Sequence, residues 1–206
     1  IDVGILRAPQ VTFSFVGRFL CGNELHSGEK CISVEDGMLK CDESISSSFH
    51  FTPSDKDSCF TLHDVTIGVN FHWQRKEDQC FKGELLFIVE DGEVRAINRI
   101  DVEDYLVSVI SSEMSATSSP EFLKAHAIVS RSWLYAQLHR KNKVVQGVLG
   151  WENRDELVRW YAREDHTLFD FCADDHCQRY QGMTRAVNPS VERAVVETGG
   201  LVLKYA

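Results

Sequence analysis

The hydrophobic pattern of this chain changes its period close to residue 100, and this change constrains the fold more than any other feature. Before it, apolar and polar residues alternate, as in VTFSFVGRF (residues 11–19), which is typical of half-buried strands. After it, apolar residues recur at steps of three and four from Val102 to Ile110, which is typical of one helix face. The 206 residues therefore predict an α+β fold, in which a β-rich part (residues 1–98) packs against a helical part (residues 99–206).

Turn and cap residues place the individual elements of this fold. Asp36-Gly37 and Asp91-Gly92 each lie between apolar runs and predict two β-hairpins. Asp101 and the pair Ser119-Pro120 predict the first residues of two helices. Residues 43–58 are expected to be a loop, and residues 152–164 a third helix. Residues 193–206 are expected to form a pair of terminal strands around Gly199-Gly200.

Charge and composition exclude several classes of function. The net charge is −9 and no basic cluster dominates, so DNA, RNA and anionic membrane surfaces are not expected as partners. No apolar run approaches the ~18 residues of a membrane-spanning helix. The seven cysteines are an odd number, so at least one has no disulfide partner within the chain. The five scattered ones fit either disulfides or small buried side chains: Cys21, Cys31, Cys41, Cys59 and Cys80.

Glu113 is the single charged residue in ISSEMSATSSP (residues 110–120). It follows Val109 by four residues, so it continues the apolar stripe of the first predicted helix. A carboxyl group on that face is costly unless it has a partner or lines a cleft, and partial burial favours its protonated form. Glu113 is therefore a candidate general acid, followed by small residues that leave room for a substrate. The alternative is an ion pair at the helix end, for example with Arg131.

The residues around Glu113 resemble those of a known family. VEDYLVSVISSEMSATSSPEFLKAHAIVSRSWLYAQ (residues 102–137) is similar to the core signature of the SpoIID/LytB family, the stage II sporulation protein D and amidase-enhancer proteins of bacterial cell walls. The similarity resumes in CADDHCQRYQG (residues 172–182) and in AVVETGGLVL (residues 194–203). IGVNFHWQRKEDQCFKGELLF (residues 67–87) looks like a form found in relatives that do not sporulate. Relatives normally continue past the segment that corresponds to LVLKYA, so we expect part of the protein to lie outside this chain.

The resemblance implies an activity and a location. In this family the glutamate at the position of Glu113 is the proposed catalytic acid of a lytic transglycosylase. Such an enzyme cleaves peptidoglycan between N-acetylmuramic acid and N-acetylglucosamine, leaves a 1,6-anhydro end, and prefers strands without stem peptides. The alternatives are a non-catalytic enhancer that binds and activates a cell-wall amidase, and a peptidoglycan-binding module without turnover. Each implies export to the bacterial cell envelope or periplasm, with the signal sequence outside this chain.

One carboxyl group is sufficient for this chemistry. Glycoside hydrolases that retain or invert the configuration of the sugar need two carboxyl groups. In a lytic transglycosylase the 6-hydroxyl of the sugar is the nucleophile, and Glu113 would transfer both protons. The signature also offers candidate substrate-binding residues, each with packing or a surface ion pair as the alternative: Tyr105, Lys124, His126, Ser130 and Arg131. The aromatic run of Phe71, His72 and Trp73 is a candidate for stacking on sugars.

A candidate metal site lies in HTLFDFCADDHC (residues 166–177). His166, Cys172, His176 and Cys177 match a structural zinc set in type and number, although adjacent ligands at 176 and 177 are unusual. Some members of the resembled family bind zinc with histidine and cysteine in this region, and others keep only the paired cysteines. A Cys172–Cys177 disulfide and free thiols are the alternatives. Catalysis itself needs no cofactor.

Overall fold

The computed structural model describes residues 1–68, 72–115, 117–141, 150–152, 157–159, 166–186 and 188–204. These residues form an extensive β-sheet and then three helices, which confirms the predicted α+β class. One hydrophobic core takes side chains from both the strands and the helices. The division at residue 98 stays a prediction, because a short strand at Phe171–Cys172 joins the same sheet as the first part of the chain.

Within the described residues, ten strands precede the helices. They are β1 (Asp2–Ala8), β2 (Gln10–Cys21), β3 (Glu24–Glu35), β4 (Met38–Cys41), β5 (Ser44–Ser46), β6 (Ser48–Pro53), β7 (Cys59–Ile67), β8 (Arg75–Phe81), β9 (Glu84–Glu90) and β10 (Glu93–Arg99). Three short strands follow later, β11 (Gly150–Glu152), β12 (Leu157–Arg159) and β13 (Phe171–Cys172). The main sheet has the order β13-β1-β10-β9-β6-β2-β3-β4-β5, and β7 pairs with both β2 and β8.

Both predicted Asp-Gly hairpins are confirmed. Asp91 and Gly92 have φ of 52° and 79° and join β9 to β10, and Asp36 and Gly37 have φ of 48° and 76° and join β3 to β4. Positive φ at both central residues is what a two-residue hairpin turn needs, and Asp-Gly tolerates it well. The alternation of β2 buries Phe13, which contacts the Phe51 and Phe87 rings at centroid distances of 5.7 and 4.9 Å.

The helices are α1 (Val102–Glu113), α2 (Pro120–Lys141) and α3 (Pro189–Glu197). The predicted caps of the first two are confirmed. The Asp101 side chain accepts a hydrogen bond from the Glu103 N–H at 2.8 Å, and Ser119 Oγ accepts one from the Phe122 N–H at 3.4 Å. No helix in the described residues is long and apolar enough to cross a membrane.

The prediction of a helix at residues 152–164 is wrong for the part of this segment that the structure describes. Gly150–Glu152 and Leu157–Arg159 form an antiparallel strand pair in which Gly150 lies opposite Arg159. Valine, tryptophan and leucine in these short runs favour a pleated strand over a helix. Residues 153–156 and 160–164 of the expected helix lie outside the described residues.

The prediction of a terminal strand pair is also wrong. Pro189–Glu197 is helical, with Asn188 as its N-cap, and it is followed by a turn at residues 198–200 and by Leu201–Lys204 without regular structure. Val191, Ala194 and Val195 are buried at steps of three and four, so the valine-rich run has a helical period. Gly200, with φ of 72°, follows the helix as a terminating glycine instead of forming a hairpin turn.

The loop expected at residues 43–58 contains two strands. β5 and β6 occupy Ser44–Ser46 and Ser48–Pro53, and β6 pairs with both β9 and β2. Phe49 and Phe51 are buried and separated by an exposed His50, which is the alternation of a half-buried strand. The polar residues around them conceal this short pattern in the sequence.

Candidate functional site

Glu113 is the last residue of α1 and stands where three segments meet. Its Oε2 lies 3.1 Å from Nε2 of His126 on α2, and its Oε1 accepts a hydrogen bond from the Arg179 backbone N–H at 3.2 Å. The Glu113 side chain retains 28% of its exposure, so the carboxyl group is held but still reaches solvent. The predicted candidate acid therefore occupies a fixed, accessible position.

His126 lies in the second turn of α2 and faces the end of α1. Its side chain is only 12% exposed, and Nδ1 is buried without a hydrogen-bond partner among the described residues. With its proton on Nε2 the ring donates to the Glu113 carboxylate, and a protonated Glu113 would instead donate to an unprotonated Nε2. The structure therefore brings together two of the predicted site residues, as direct partners.

Arg179 connects this site to the β-rich part of the chain. Its guanidinium forms an ion pair with Asp175 at 3.0 Å and lies 5.3 Å from the centroid of the Trp73 ring. An arginine above an aromatic face is attracted by the ring's electron density. Of the aromatic run expected to stack on sugars, Trp73 thus supports the Arg179 segment, His72 is exposed, and Phe71 lies outside the described residues.

Lys124 and Ser130 do not point at Glu113. Lys124 pairs with Glu197 on α3 at 2.8 Å and with Glu121 at 3.4 Å, and the bond to Glu197 raises the Lys124 pKa above its ordinary value. Ser130 is buried, and its backbone carbonyl accepts a hydrogen bond from the Gln178 amide at 3.5 Å. The expectation that Ser130 faces a groove is therefore wrong, and Lys124 joins α2 to α3.

Arg131 has a structural position, so both roles suggested for it are wrong. Its side chain is fully buried and pairs with Glu103, with nitrogen–oxygen distances of 2.9 and 2.6 Å, instead of Glu113. It also donates to the carbonyls of Thr198 at 2.9 Å and Leu201 at 3.2 Å. These carbonyls follow or end α3, where backbone acceptors lack helical partners. A substrate carboxylate has no access to this guanidinium.

Tyr105 belongs to the core, and the expectation that it binds substrate is wrong. It is fully buried and stacks on Tyr180 at a centroid distance of 5.0 Å. Burial raises the pKa of Tyr105 well above its ordinary value. Tyr180 in turn donates a hydrogen bond to Asn98 Oδ1 at 2.5 Å, so the stacked pair links α1 to β10.

The four predicted metal ligands converge. One donor atom from each of His166, Cys172, His176 and Cys177 lies within 4.8 Å of the others. Cys177 Sγ is 3.5 Å from His166 Nε2 and 3.7 Å from His176 Nδ1, which is 3.8 Å from Cys172 Sγ. Tetrahedral zinc bonds of about 2.3 Å to sulfur and 2.0–2.1 Å to nitrogen set sulfur–nitrogen separations of about 3.6 Å. The donor set and its spacing therefore fit zinc.

Cys172 and Cys177 are not joined by a disulfide in the structure. The Cys172 N–H donates to Cys177 Sγ at 3.3 Å. The pKa of the Cys172 thiol is raised, mainly by its hydrogen bond with Cys177 and also by its burial. Such thiols become metal ligands when a cation replaces the proton.

The cluster is adjacent in sequence to the residue that holds Glu113. Cys177 is followed by Gln178 and then Arg179, whose N–H donates to Glu113. The Cys177 N–H also donates to the Asp174 carbonyl at 3.0 Å, which closes a turn within the cluster. Anything that orders the cluster therefore orders the donor to Glu113. Sequence reasoning missed Arg179, and its only signal was the motif CADDHCQRYQG, because a backbone N–H leaves no residue signature.

Comparison with known proteins identifies the family. A family model described as Stage II sporulation protein, SpoIID, matches residues 90–205, which is more than half of the chain. The chain therefore belongs to the SpoIID family, whose members have functions related to the cell wall and the cell envelope. Searches of curated proteins and of solved structures found no significant match. Trp73, which supports Arg179, lies before the matched segment.

Proposed function

We propose that this protein is a peptidoglycan lytic transglycosylase in which Glu113 is the general acid and base. The observation that carries the proposal is the geometry at Glu113, a partly exposed carboxyl group whose two oxygens contact His126 Nε2 and the Arg179 N–H. Membership of a family related to the cell wall supports peptidoglycan as the substrate. Peptide-free glycan strands are the proposed form of that substrate.

The reaction needs two proton transfers at one carboxyl group. Protonated Glu113 donates to the glycosidic oxygen, and the bond between that oxygen and C1 of N-acetylmuramic acid breaks. The carboxylate then accepts the proton of the 6-hydroxyl of the same sugar, whose oxygen bonds to C1 and closes the 1,6-anhydro ring. No water enters the product. His126 and the Arg179 N–H hold the carboxylate between the two steps, which is electrostatic preorganisation.

The surrounding carboxylates support a mechanism with one acid. Glu103 is ten residues before Glu113, about 15 Å along the helix axis, and it is bound to Arg131. Asp175 pairs with the side chain of Arg179, whose backbone N–H donates to Glu113, and both Asp175 oxygens accept from that guanidinium at 3.1 and 3.3 Å. Asp175 therefore serves as the control carboxylate for a two-carboxylate hydrolase.

The test is incubation with peptide-free glycan strands, followed by mass analysis of the product ends. We expect anhydro ends from the wild type and a loss of about 10²-fold or more in Glu113→Gln, because glutamine cannot transfer a proton. Asp175→Asn should keep most of the activity. Reducing ends that depend on Asp175 would show a hydrolase, and wild-type rates in Glu113→Gln would exclude Glu113 as the catalyst.

The same variants separate catalysis from partner activation. If wild type and Glu113→Gln both stimulate a cell-wall amidase and neither cleaves glycan, the protein is a non-catalytic enhancer. Glu113→Gln should unfold at the same or a higher denaturant concentration than wild type, since active-site residues often reduce stability. With that result, a folding defect does not explain the loss of cleavage in Glu113→Gln.

We also propose that His166, Cys172, His176 and Cys177 hold one structural zinc ion. A bound zinc supplies four bonds that fix the segment leading to Arg179, and with all four ligands engaged it leaves no position for catalysis. Protein purified without a histidine tag should contain about one zinc per chain. Removal by a chelator should lower the melting temperature, because a ligand that binds only the folded state stabilises it.

A matched pair of variants tests this assignment. Cys177→Ser should lose the metal, and Cys59→Ser, a half-buried cysteine outside the cluster, should keep it. Absence of zinc together with a Cys172–Cys177 disulfide in mass analysis would contradict the proposal and support the disulfide alternative.

A further inference from the structure

Phe122 has an exposed aromatic ring beside the Glu113 site. It lies in the first turn of α2, and 45% of its surface is accessible. A single exposed apolar side chain is common on protein surfaces and by itself indicates nothing. The position of Phe122 relative to His126 and Glu113 makes it informative.

Phe122 and His126 are four residues apart, so they share one face of α2. Their ring centroids are 6.5 Å apart, and His126 Nε2 is 3.1 Å from Glu113 Oε2. One helical turn, about 6 Å, thus separates the exposed ring from the residue that holds the acid. A glycan strand that presents a glycosidic bond to Glu113 also passes within reach of Phe122.

Several exposed residues close to Phe122 and Glu113 in the sequence have small side chains, although Met114, directly after Glu113, is large and 43% exposed. Ala125, three residues further along α2, is exposed. Ser115 and Thr117, which lie between Glu113 and α2, are exposed as well. A pyranose ring has an apolar C–H face and a rim of hydroxyl groups. It therefore suits one aromatic ring that is bordered by small residues and hydroxyl groups.

The charged neighbours of Phe122 balance one another. Glu121 has an 84% exposed side chain, and it shares the ammonium group of Lys124 with Glu197. The Lys124 ammonium group and then the Arg193 guanidinium of α3 lower the pKa of Glu197. Two carboxylates and two cations leave no net charge beside the ring, so the electrostatics there suit an uncharged sugar face.

We propose that Phe122 is the stacking platform of a glycan subsite that receives an N-acetylhexosamine next to the scissile bond. This inference rests on the proposed function for the identity of the glycan. It places one side of the glycan path at Glu113 above the first turn of α2, next to His126.

The test compares three variants in the Glu113→Gln background, where binding is measured without turnover. Phe122→Ala should weaken binding of peptide-free glycan strands and of chitotetraose, an uncharged probe, by about 3- to 10-fold. Phe122→Tyr should restore binding, because it keeps the ring. The control is Tyr135→Ala, since Tyr135 is also 45% exposed on α2 but lies nine residues past His126 and therefore on the opposite face.

Cleavage kinetics with Glu113 present complete the test. Phe122→Ala should raise KM with little change in kcat, as expected for an interaction that is equal in the bound and transition states. Unchanged binding in Phe122→Ala, or an equal loss in Tyr135→Ala, would overturn the inference. An effect on the peptide-free strands but not on chitotetraose would show that Phe122 does not stack on an uncharged sugar ring, and would overturn the inference as well. If the wild type does not cleave but Phe122→Ala still weakens binding, the transglycosylase proposal fails and the subsite stands.

Discussion

Arg131 has a fully buried guanidinium that joins α1 to the end of α3. It contacts the Glu103 carboxylate and the carbonyls of Thr198 and Leu201. Arginine suits this position because its planar fork donates in several fixed directions at once. The residue thus adds hydrogen bonds to carbonyls at the end of α3, where the Thr198 carbonyl also accepts from the Leu201 N–H at 3.0 Å.

Replacement of Arg131 should strongly destabilise the fold. The Glu103 side chain is 40% exposed, so water can solvate its carboxylate after Arg131→Met, and the main cost is the loss of several buried hydrogen bonds. Arg131→Met should therefore lower the free energy of unfolding by about 1–3 kcal/mol. Arg131→Lys should recover only part of it, because one ammonium group cannot reproduce the fork. Urea denaturation measures both. A loss below about 1 kcal/mol in Arg131→Met would contradict this structural role.

At the scale of residues, the sequence predicted that the four residues of the His/Cys cluster converge, but not which side chain contacts Glu113. Glu113 and the four cluster residues were identified from residue type and spacing, and the structure brings His126 to Glu113. Arg131 was paired with the wrong glutamate because its partner is set by the packing of α3, which was expected to be two strands. Spacing along one helix does not specify contacts with another element.

Gly182 lets the segment after the His/Cys cluster dock on the edge of β8. Its φ is +58°, and a Cβ there would lie 2.2 Å from the Cys80 carbonyl oxygen. The Met183 N–H donates to that oxygen at 2.7 Å, and the Cys80 N–H donates to Thr184 Oγ1 at 3.1 Å. Close approach of two backbones is possible here because glycine has no side chain.

Gly182→Ala should therefore separate this segment from β8. The left-handed backbone alone costs a non-glycine residue roughly 1–2 kcal/mol, and the clash with the Cys80 carbonyl adds to it. Gly200→Ala is the matched control, because its φ is +72° and a Cβ there has nothing within 4 Å. Denaturant midpoints should fall clearly further for Gly182→Ala than for Gly200→Ala. Equal effects would mean that the β8 contact contributes no stability.

Elements with strong local signals were predicted, and elements defined by tertiary pairing were not. The two Asp-Gly hairpins and the caps at Asp101 and Ser119 depend on residues within a few positions of each other. By contrast, β5 and β6 are short and polar, and β6 is stabilised by pairing with β9 more than thirty residues away. In α3, a valine-rich run with a following Gly-Gly pair resembled strands, and packing against α2 and α1 favours the helix instead.

At the scale of the whole molecule, β1 connects the two predicted parts. It pairs antiparallel with β10 over Asp2–Ala8 and parallel with β13 at Val3 and Gly4. The Asp170 N–H donates to the Asp2 carbonyl at 2.8 Å, and the Asp2 N–H donates to Asp170 Oδ2 at 2.9 Å. Because β13 carries Cys172, the first strand of the chain also positions the His/Cys cluster.

The ion pair between Asp2 and Arg99 should make this connection sensitive to acid. Arg99 donates to both Asp2 carboxylate oxygens, at 2.7 and 2.9 Å, and these bonds hold the Asp2 pKa below its ordinary value of 3.8. A carboxyl group with a lowered folded-state pKa contributes stability above its unfolded-state pKa, and this contribution disappears as pH falls through the folded-state value.

Asp2→Asn should therefore reduce the free energy of unfolding at pH 7 by about 0.2–1 kcal/mol, the range for partly exposed pairs. The difference from the wild type should shrink as the pH falls below 3.8, because the wild-type carboxyl group then becomes protonated as well. Urea denaturation at a series of pH values measures this change. In an Arg99→Ala background the effect of Asp2→Asn should be small at every pH, since the partner that lowers the pKa is gone. A difference that is constant from pH 7 to the acid limit would show that Asp2 stabilises β1 by its shape and hydrogen bonds alone, without its charge.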